Sequence, residues 1–172
     1  MNIIGMIVHI DIDMTLIDIA HFFEMAKGIR PSSPTYNWDA RYYPGAIDDI
    51  VQWLDEGREE RVIDGAFEAI DEMIAAGHDV LITTMRTPAA ISKFKEKYPK
   101  FASIVRSKMD VIRSGGRFDV LIDDYPAKEH ADLAARTIIV RRDYNDSIMP
   151  HAQRVASVAE AAQQLLSRPM AV

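Results

Sequence analysis

Short unbroken apolar runs alternate along the chain with segments whose apolar residues recur every three or four positions. The first run, Ile7-Val8-His9-Ile10 with Ile12 beyond it, lacks the polar alternation of a strand wetted on one face. It predicts a strand covered on both faces, as in a parallel sheet, with His9 core-facing and hydrogen-bonded. Asp79 to Thr84, Phe118 to Asp124 and Thr137 to Val140 read as further strands of this kind. Between them, Gly65 to Gly77 carries apolar residues at 66, 67, 70, 73 and 74 and stops on a glycine, the pattern of an amphipathic helix. Thr87-Pro88 opens another helix, with Pro88 in its first turn and Lys93, Lys95, Lys97 and Lys100 as its solvated face. Residues 127–135 and 157–166 read as two more helices. Strand and helix in alternation predict an α/β fold built on a parallel sheet.

Three stretches interrupt that rhythm. Leu16 to Ala26 has the apolar spacing of a helix ending near Gly28, and Pro31-Ser32-Ser33-Pro34 marks a loop. Tyr36, Trp38, Tyr42, Tyr43 and Trp53 then gather five of the fourteen aromatic residues, in a segment that has no β-branched run and contains Pro44-Gly45. Residues 17–63 therefore read as a small helical cap inserted after the first strand. Its aromatics are open to two roles, a core of the cap's own or stacking walls of a ligand pocket. Further on, Phe101 to Val105 is a short apolar piece, and the stretch from Arg106-Ser107-Lys108 to Gly115-Gly116 reads as a connection.

Composition narrows the function classes. At 172 residues and 48% hydrophobic content, one domain with a sizeable core is expected. A net charge of -6 argues against polymeric nucleic acid as a partner, which calls for a basic stripe, and leaves small anions that meet local positive charge. The absence of cysteine excludes disulfides, thiolate metal sites and a thiol nucleophile, and fits a cytoplasmic setting. No apolar run reaches the length of a membrane span, and none follows a basic leader, so no membrane partner is expected.

The chemistry gathers at the strand ends. Asp11 and Asp13 close the first run, Thr83-Thr84 the second and Asp123-Asp124 the third, with Lys108 before the last. In one strand, aspartates at i and i+2 share a face and repel in a dry core. A cation between them, or a division of labour between attack and proton transfer, makes the arrangement reasonable; aspartates turned into solvent are the plain alternative. In a parallel sheet all these ends share one edge and converge on one crevice. Four carboxylates suit a hard cation such as Mg²⁺, and a lysine and a threonine suit phosphate oxygens.

As an ordered set these residues resemble the haloacid dehalogenase (HAD) superfamily of phosphotransferases. Asp11-Ile12-Asp13-Met14-Thr15 resembles its first motif, Leu81-Ile82-Thr83-Thr84 the second, Lys108 the third and Val120-Leu121-Ile122-Asp123-Asp124 the fourth. The resemblance implies a Rossmann-like parallel sheet flanked by helices, a single domain over residues 1–172 with a core of 1–16 and 64–172, and a cap at about 17–63. It implies Asp11 as the nucleophile that forms an aspartyl-phosphate and Asp13 as the acid/base. Mg²⁺ would be held by Asp11, the backbone carbonyl of Asp13 and one or both of Asp123 and Asp124, with Thr84 and Lys108 on the phosphoryl oxygens. Met14 stands where glycine is common in the family, and Met85 where a small or polar residue is usual, so two thioethers would border the site.

Within the superfamily the chain is most similar to the 5'(3')-deoxyribonucleotidases. The features are the aromatic-bearing cap, Asp18 seven residues after Asp11, the Gly65-Ala66 helix start and Asp-Asp-Tyr-Pro at 123–126. This implies a nucleoside monophosphate whose base stacks among Phe22, Tyr36, Trp38, Tyr42 or Tyr43, each such stack contributing about 1–3 kcal/mol. Relatives are often dimeric, which implies a homodimer. Arg86 is open between reaching phosphate or sugar and forming an ordinary surface salt bridge. Alternative functions are hydrolysis of another small phosphoester or of a nucleic-acid 3'-phosphate end, and a non-catalytic binding or regulatory role on the same fold.

Overall fold

The computed structural model describes residues 5–27, 45–142 and 144–167. In chain order these form β1 (Ile7–Asp11), β2 (Ile17–Asp18), α1 (Ala20–Lys27), α2 (Ala46–Asp55), β3 (Arg61–Val62), α3 (Ala66–Ala75) and β4 (Asp79–Thr84). There follow α4 (Pro88–Lys97), a 3₁₀ turn (Pro99–Ile104), β5 (Val105–Ser107), α5 (Lys108–Ser114), β6 (Phe118–Asp123), α6 (Lys128–Ala131), β7 (Ala134–Val140), β8 (Gln153–Val155) and α7 (Val158–Ser167).

The unbroken apolar runs become the centre of one sheet, ordered β5-β4-β1-β6-β7-β8. Every pairing in it is parallel. Val8, His9 and Ile10 are all buried, so β1 is covered on both faces as its composition predicts. Ile82, Val120, Ile122, Ile138 and Val140 extend that core, and each such side chain contributes about 1.5–3 kcal/mol by leaving water. His9 stacks on Phe118 at 3.7 Å and shares a 3.2 Å hydrogen bond with His130, as a core histidine should. At the start of α4 the Thr87 side chain accepts from the Ala90 amide at 3.1 Å, and Pro88 occupies the first turn where its missing N–H costs nothing.

Three sequence expectations are corrected, and one strand was not foreseen. Leu16 to Ile19 is not the start of a helix: the amides of Thr15, Leu16 and Ile17 all converge on the Ile12 carbonyl, and Ile17-Asp18 pairs antiparallel with Arg61-Val62. The helix begins only at Ala20, because the preceding residues are held in the turn at Ile12 and the β2–β3 pairing, and the Asp18 carboxylate accepts from the Ala20 amide at 3.1 Å. Residues 105–114 are a strand and a helix rather than a connection. Only Lys108 of α5 is buried, so no apolar stripe announced it, and Gly115 at φ 67° terminates it. The helix read over 127–135 spans only Lys128–Ala131, and β7 starts at Ala134. The edge strand β8, three residues with a single fully buried side chain, is too short and polar to show as a run.

Candidate active site

The parallel sheet brings the predicted strand ends to one edge. Asp11 ends β1 opposite Thr83, Thr84 ends β4 opposite Ser107, and Lys108 is the first residue after β5. Asp123 ends β6, and Asp124 follows it directly. Lys108 Nζ donates to Asp11 Oδ1 at 2.7 Å and to Asp123 Oδ2 at 2.8 Å, with its side chain only 4% exposed. Asp123 Oδ1 accepts from the Tyr125 amide at 2.8 Å. Asp124 accepts from the Thr15 hydroxyl at 3.3 Å and from the Tyr144 hydroxyl, and its backbone carbonyl accepts from Asn145 Nδ2 at 2.8 Å.

One oxygen each from Asp11, Asp123 and Asp124 lies within 4.8 Å of the others. Three buried carboxylates against one buried ammonium leave two negative charges uncompensated at close quarters. Burial pushes the Asp11 carboxyl well above its usual range, with Lys108 opposing the push and Asp123, Asp124 and Asp13 adding to it. Burial and then the Asp123 charge raise Asp124 to about 7, against the Tyr144 hydrogen bond, Arg142 and Lys108. For Lys108, burial works against the ammonium, but the Asp11 and Asp123 charges overcome it and the net shift is upward. A set of hard oxygen donors short of two positive charges fits a divalent cation such as Mg²⁺.

No family model matches the chain, and no curated protein does. Among solved structures, CbbY from Rhodobacter sphaeroides in complex with phosphate aligns over 91% of this chain and 96% of its own, at 15% identity and a TM-score of 0.57. A HAD family hydrolase from Deinococcus radiodurans, with bound phosphate and sodium, aligns over 95% and 96% at 14% identity and a TM-score of 0.59. A haloacid dehalogenase-like hydrolase from Xanthomonas campestris aligns over 95% of each chain at 14% identity and a TM-score of 0.61. The chain has the haloacid dehalogenase fold. At these identities the likeness is one of fold, and the parallel sheet flanked by helices is the part that the sequence predicted.

On this HAD-type sheet the crevice at the strand ends has a volume of about 410 Å³ and is lined by Asp11, Asp13, Lys108, Asp124 and Tyr144 on its polar side. Its other wall is apolar, made by Ile47, Ile50, Val51 and Leu54 of α2 with Met14 and Met85. Met14 sits at φ 60°, in the left-handed region, which explains why glycine suits this position. Arg142 braces the same turn, donating from Nε and Nη2 to the Met14 carbonyl at 2.9 and 2.5 Å. Asp13 lies past the end of β1, not in the strand beside Asp11, and is turned toward Arg86. Thr84 is fully buried, and its oxygen accepts from the Arg86 amide at 3.1 Å. Thr83 is buried too, with no hydrogen-bond partner for its hydroxyl among the described residues.

Several expectations change here. Phe22 is packed edge-on against Trp53 at 5.2 Å and buried beside α2, so it belongs to an apolar cluster rather than to the crevice lining. Tyr36, Trp38, Tyr42 and Tyr43 lie outside the described residues. Arg86 is no surface salt bridge: its side chain is 2% exposed and spans Asp13 and Glu60. Lys97 is not simply solvated, since it donates to the Arg58 carbonyl and lies 3.6 Å from Glu60. Sequence reasoning missed Glu60, Arg142, Tyr144 and Asn145. For the last three, a usable signal was their place just after β7, which puts them at the same sheet edge. Among the described residues no helix is long and apolar enough to cross a membrane.

Proposed function

We propose that the chain is a Mg²⁺-dependent phosphomonoesterase that hydrolyses (deoxy)nucleoside monophosphates to nucleoside and phosphate. The observation that carries this reading is the Lys108 ammonium seated between Asp11 and Asp123 inside a cluster of three carboxylates. Such a cluster offers an attacking carboxylate, hard oxygen ligands and a fixed positive charge for phosphoryl oxygens. Two like-folded proteins, from Rhodobacter sphaeroides and Deinococcus radiodurans, bind phosphate, which supports the same substrate class here. The apolar α2 wall, part of a cap over residues 17–63, supports a substrate whose leaving group carries an apolar face such as a base.

Asp11, Asp123 and Asp124, with the backbone carbonyl of Asp13, would hold Mg²⁺. When bound there, the ion offsets the repulsion between an anionic nucleophile and a dianionic phosphate. Asp11 attacks phosphorus, the bond from phosphorus to the ester oxygen breaks, and Asp13 delivers a proton to that departing oxygen. Water then attacks the phosphorus of the aspartyl-phosphate, Asp13 takes its proton, and inorganic phosphate leaves as Asp11 is regenerated. Lys108 holds a phosphoryl oxygen. Thr84 holds another through its hydroxyl proton, the oxygen being engaged already by the Arg86 amide.

The test is phosphate release from 5'- and 3'-(deoxy)nucleoside monophosphates, an aryl phosphate and a 3'-phosphorylated oligonucleotide, with Mg²⁺ and with chelator. Metal-dependent turnover of the monophosphates, abolished in Asp11→Asn, is the expected result. Turnover of the aryl phosphate alone would remove the nucleotide assignment, and release from none of them would refute the phosphatase reading.

A further inference from the structure

Arg86 stands two residues past the end of β4, its side chain 2% exposed at the rim of the crevice, and all three of its nitrogens bond carboxylates. Nε reaches both oxygens of Asp13, at 3.0 and 3.2 Å, Nη2 reaches Asp13 Oδ1 at 2.6 Å, and Nη1 reaches Glu60 Oε1 at 2.5 Å. The guanidinium carbon also lies 5.5 Å from the Phe94 ring centroid, so the group is held from behind by α4. Glu60 sits in the link between α2 and β3, where the inserted segment returns to the sheet, and its side chain is 5% exposed. The same link is fixed to α4 at two more points, by Thr87 donating to Asp55 and by Lys97 donating to the Arg58 carbonyl.

We propose that Arg86 is a positioning residue, which holds the Asp13 carboxylate toward the crevice in a stance set by Glu60 at the return of the α2 segment. The inference rests on the phosphatase reading and deepens it. A guanidinium that served phosphate would open its charge to the crevice, whereas this one is 2% exposed and already carries two carboxylates. Sharing matters for the chemistry. With Glu60 fixing the guanidinium from its other side, the Asp13 carboxylate is held in one orientation at the crevice instead of swinging freely.

The test compares wild type with Arg86→Gln, Arg86→Lys, Glu60→Gln and the double variant on a nitrophenyl phosphate and an alkyl phosphate. The nitrophenolate leaves without help, and the alkoxide needs the proton. Arg86→Gln and Glu60→Gln should each lose at least about tenfold in kcat/KM on the alkyl ester, a part of the roughly 10²–10⁴-fold that a positioned general acid supplies. Both should stay within about threefold in kcat/KM on the nitrophenyl ester, whose leaving group needs no proton; hydrolysis of the shared aspartyl-phosphate, where Asp13 acts as base, does not enter kcat/KM. Arg86→Lys should recover part of the loss, and the double variant should lose no more than Arg86→Gln alone, because Glu60 acts through Arg86. Should Arg86→Gln fail to fold, Glu60→Gln and Arg86→Lys carry the test. A rise in KM with kcat intact would make Arg86 a substrate ligand and overturn the inference, as would an equal loss of kcat/KM on both esters. A wild type inactive on both esters would be a different failure, refuting the phosphatase reading and this inference with it.

Discussion

Replacing Lys108 by Met tests the electrostatic reading of the site without any assumption about substrate. The substitution keeps the length of the side chain and deletes the one ammonium that contacts both Asp11 and Asp123, at 2.7 and 2.8 Å. Two charge-assisted hydrogen bonds are lost, and two carboxylates whose side chains are 10% and 1% exposed are left without their partner. Breaking a buried ion pair from one side costs about 3–5 kcal/mol, since the abandoned charge keeps its desolvation penalty. Uptake of a proton by one carboxylate caps the loss at the lower end of that range. Urea unfolding in chelator should therefore show Lys108→Met about 3 kcal/mol less stable than wild type with an unchanged slope. Saturating Mg²⁺ should stabilise the variant more than it stabilises wild type, because the ion then meets the carboxylates with no ammonium competing. A loss under about 1 kcal/mol, the value of an exposed pair, would refute the account of Lys108 as a buried counter-charge. Equal stabilisation of both proteins by Mg²⁺ would refute the cation site.

Three further outcomes follow from other parts of the structure. Tyr144→Phe removes the hydroxyl that donates to Asp124, and Mn²⁺ or Mg²⁺ affinity measured by titration calorimetry should fall about 10–100-fold, as when an outer partner of a ligand is lost; unchanged affinity would mean that Asp124 is no ligand. A Cβ on Gly5 would stand 1.9 Å from the Gly77 carbonyl oxygen, which is backbone and cannot swing away. Gly5→Ala should therefore cost about 2 kcal/mol or more and lower the melting temperature by at least about 4 °C. His130 is held neutral, its pKa brought down to about 3 by burial, then by the Lys108 and His9 charges. A histidine depressed in the fold gives its full stability above its unfolded value near 6.5, and that stability is lost as pH falls toward 3 because the unfolded chain alone takes up the proton. Between pH 7 and 5 the wild type should therefore lose about 2 kcal/mol more than His130→Leu in chemical unfolding, and parallel losses would refute the assignment.

What could be read in the sequence was whatever is written locally. The runs Ile7 to Ile12, Asp79 to Thr84 and Phe118 to Asp124 each carry their own burial signal and their own polar terminus. A parallel sheet then has only one way to bring those termini together, so Asp11, Thr84 and Asp123 could be gathered before any coordinates, while Lys108 joined them only through the family resemblance. Lys108 shows where this stops. The resemblance assigned it to phosphoryl oxygens, but neither its contacts with Asp11 and Asp123 nor its helix was legible, since a seven-residue element with one buried side chain has no periodicity to detect.

The contacts that remained hidden are those fixed by topology between residues whose types are ambiguous alone. Arginine and glutamate are exposed by default, so nothing in Arg86 or Glu60 as residue types announces a buried pair. The pairing arises because β4 ends beside β1, which sets Arg86 against Asp13, while the β2–β3 ribbon returns the chain to the sheet just after Glu60. Once those two facts hold, the guanidinium shares its charge between Asp13 and Glu60, and Lys97, 3.6 Å from Glu60, brings the second positive charge. Tyr144 follows the same logic at the opposite side of the crevice. Its hydroxyl meets Asp124 only because β7 lies next to β6 and ends level with it. The residues that present the chemistry were thus marked by the ends of their own strands, whereas those that hold it in place are marked only by which strands are neighbours.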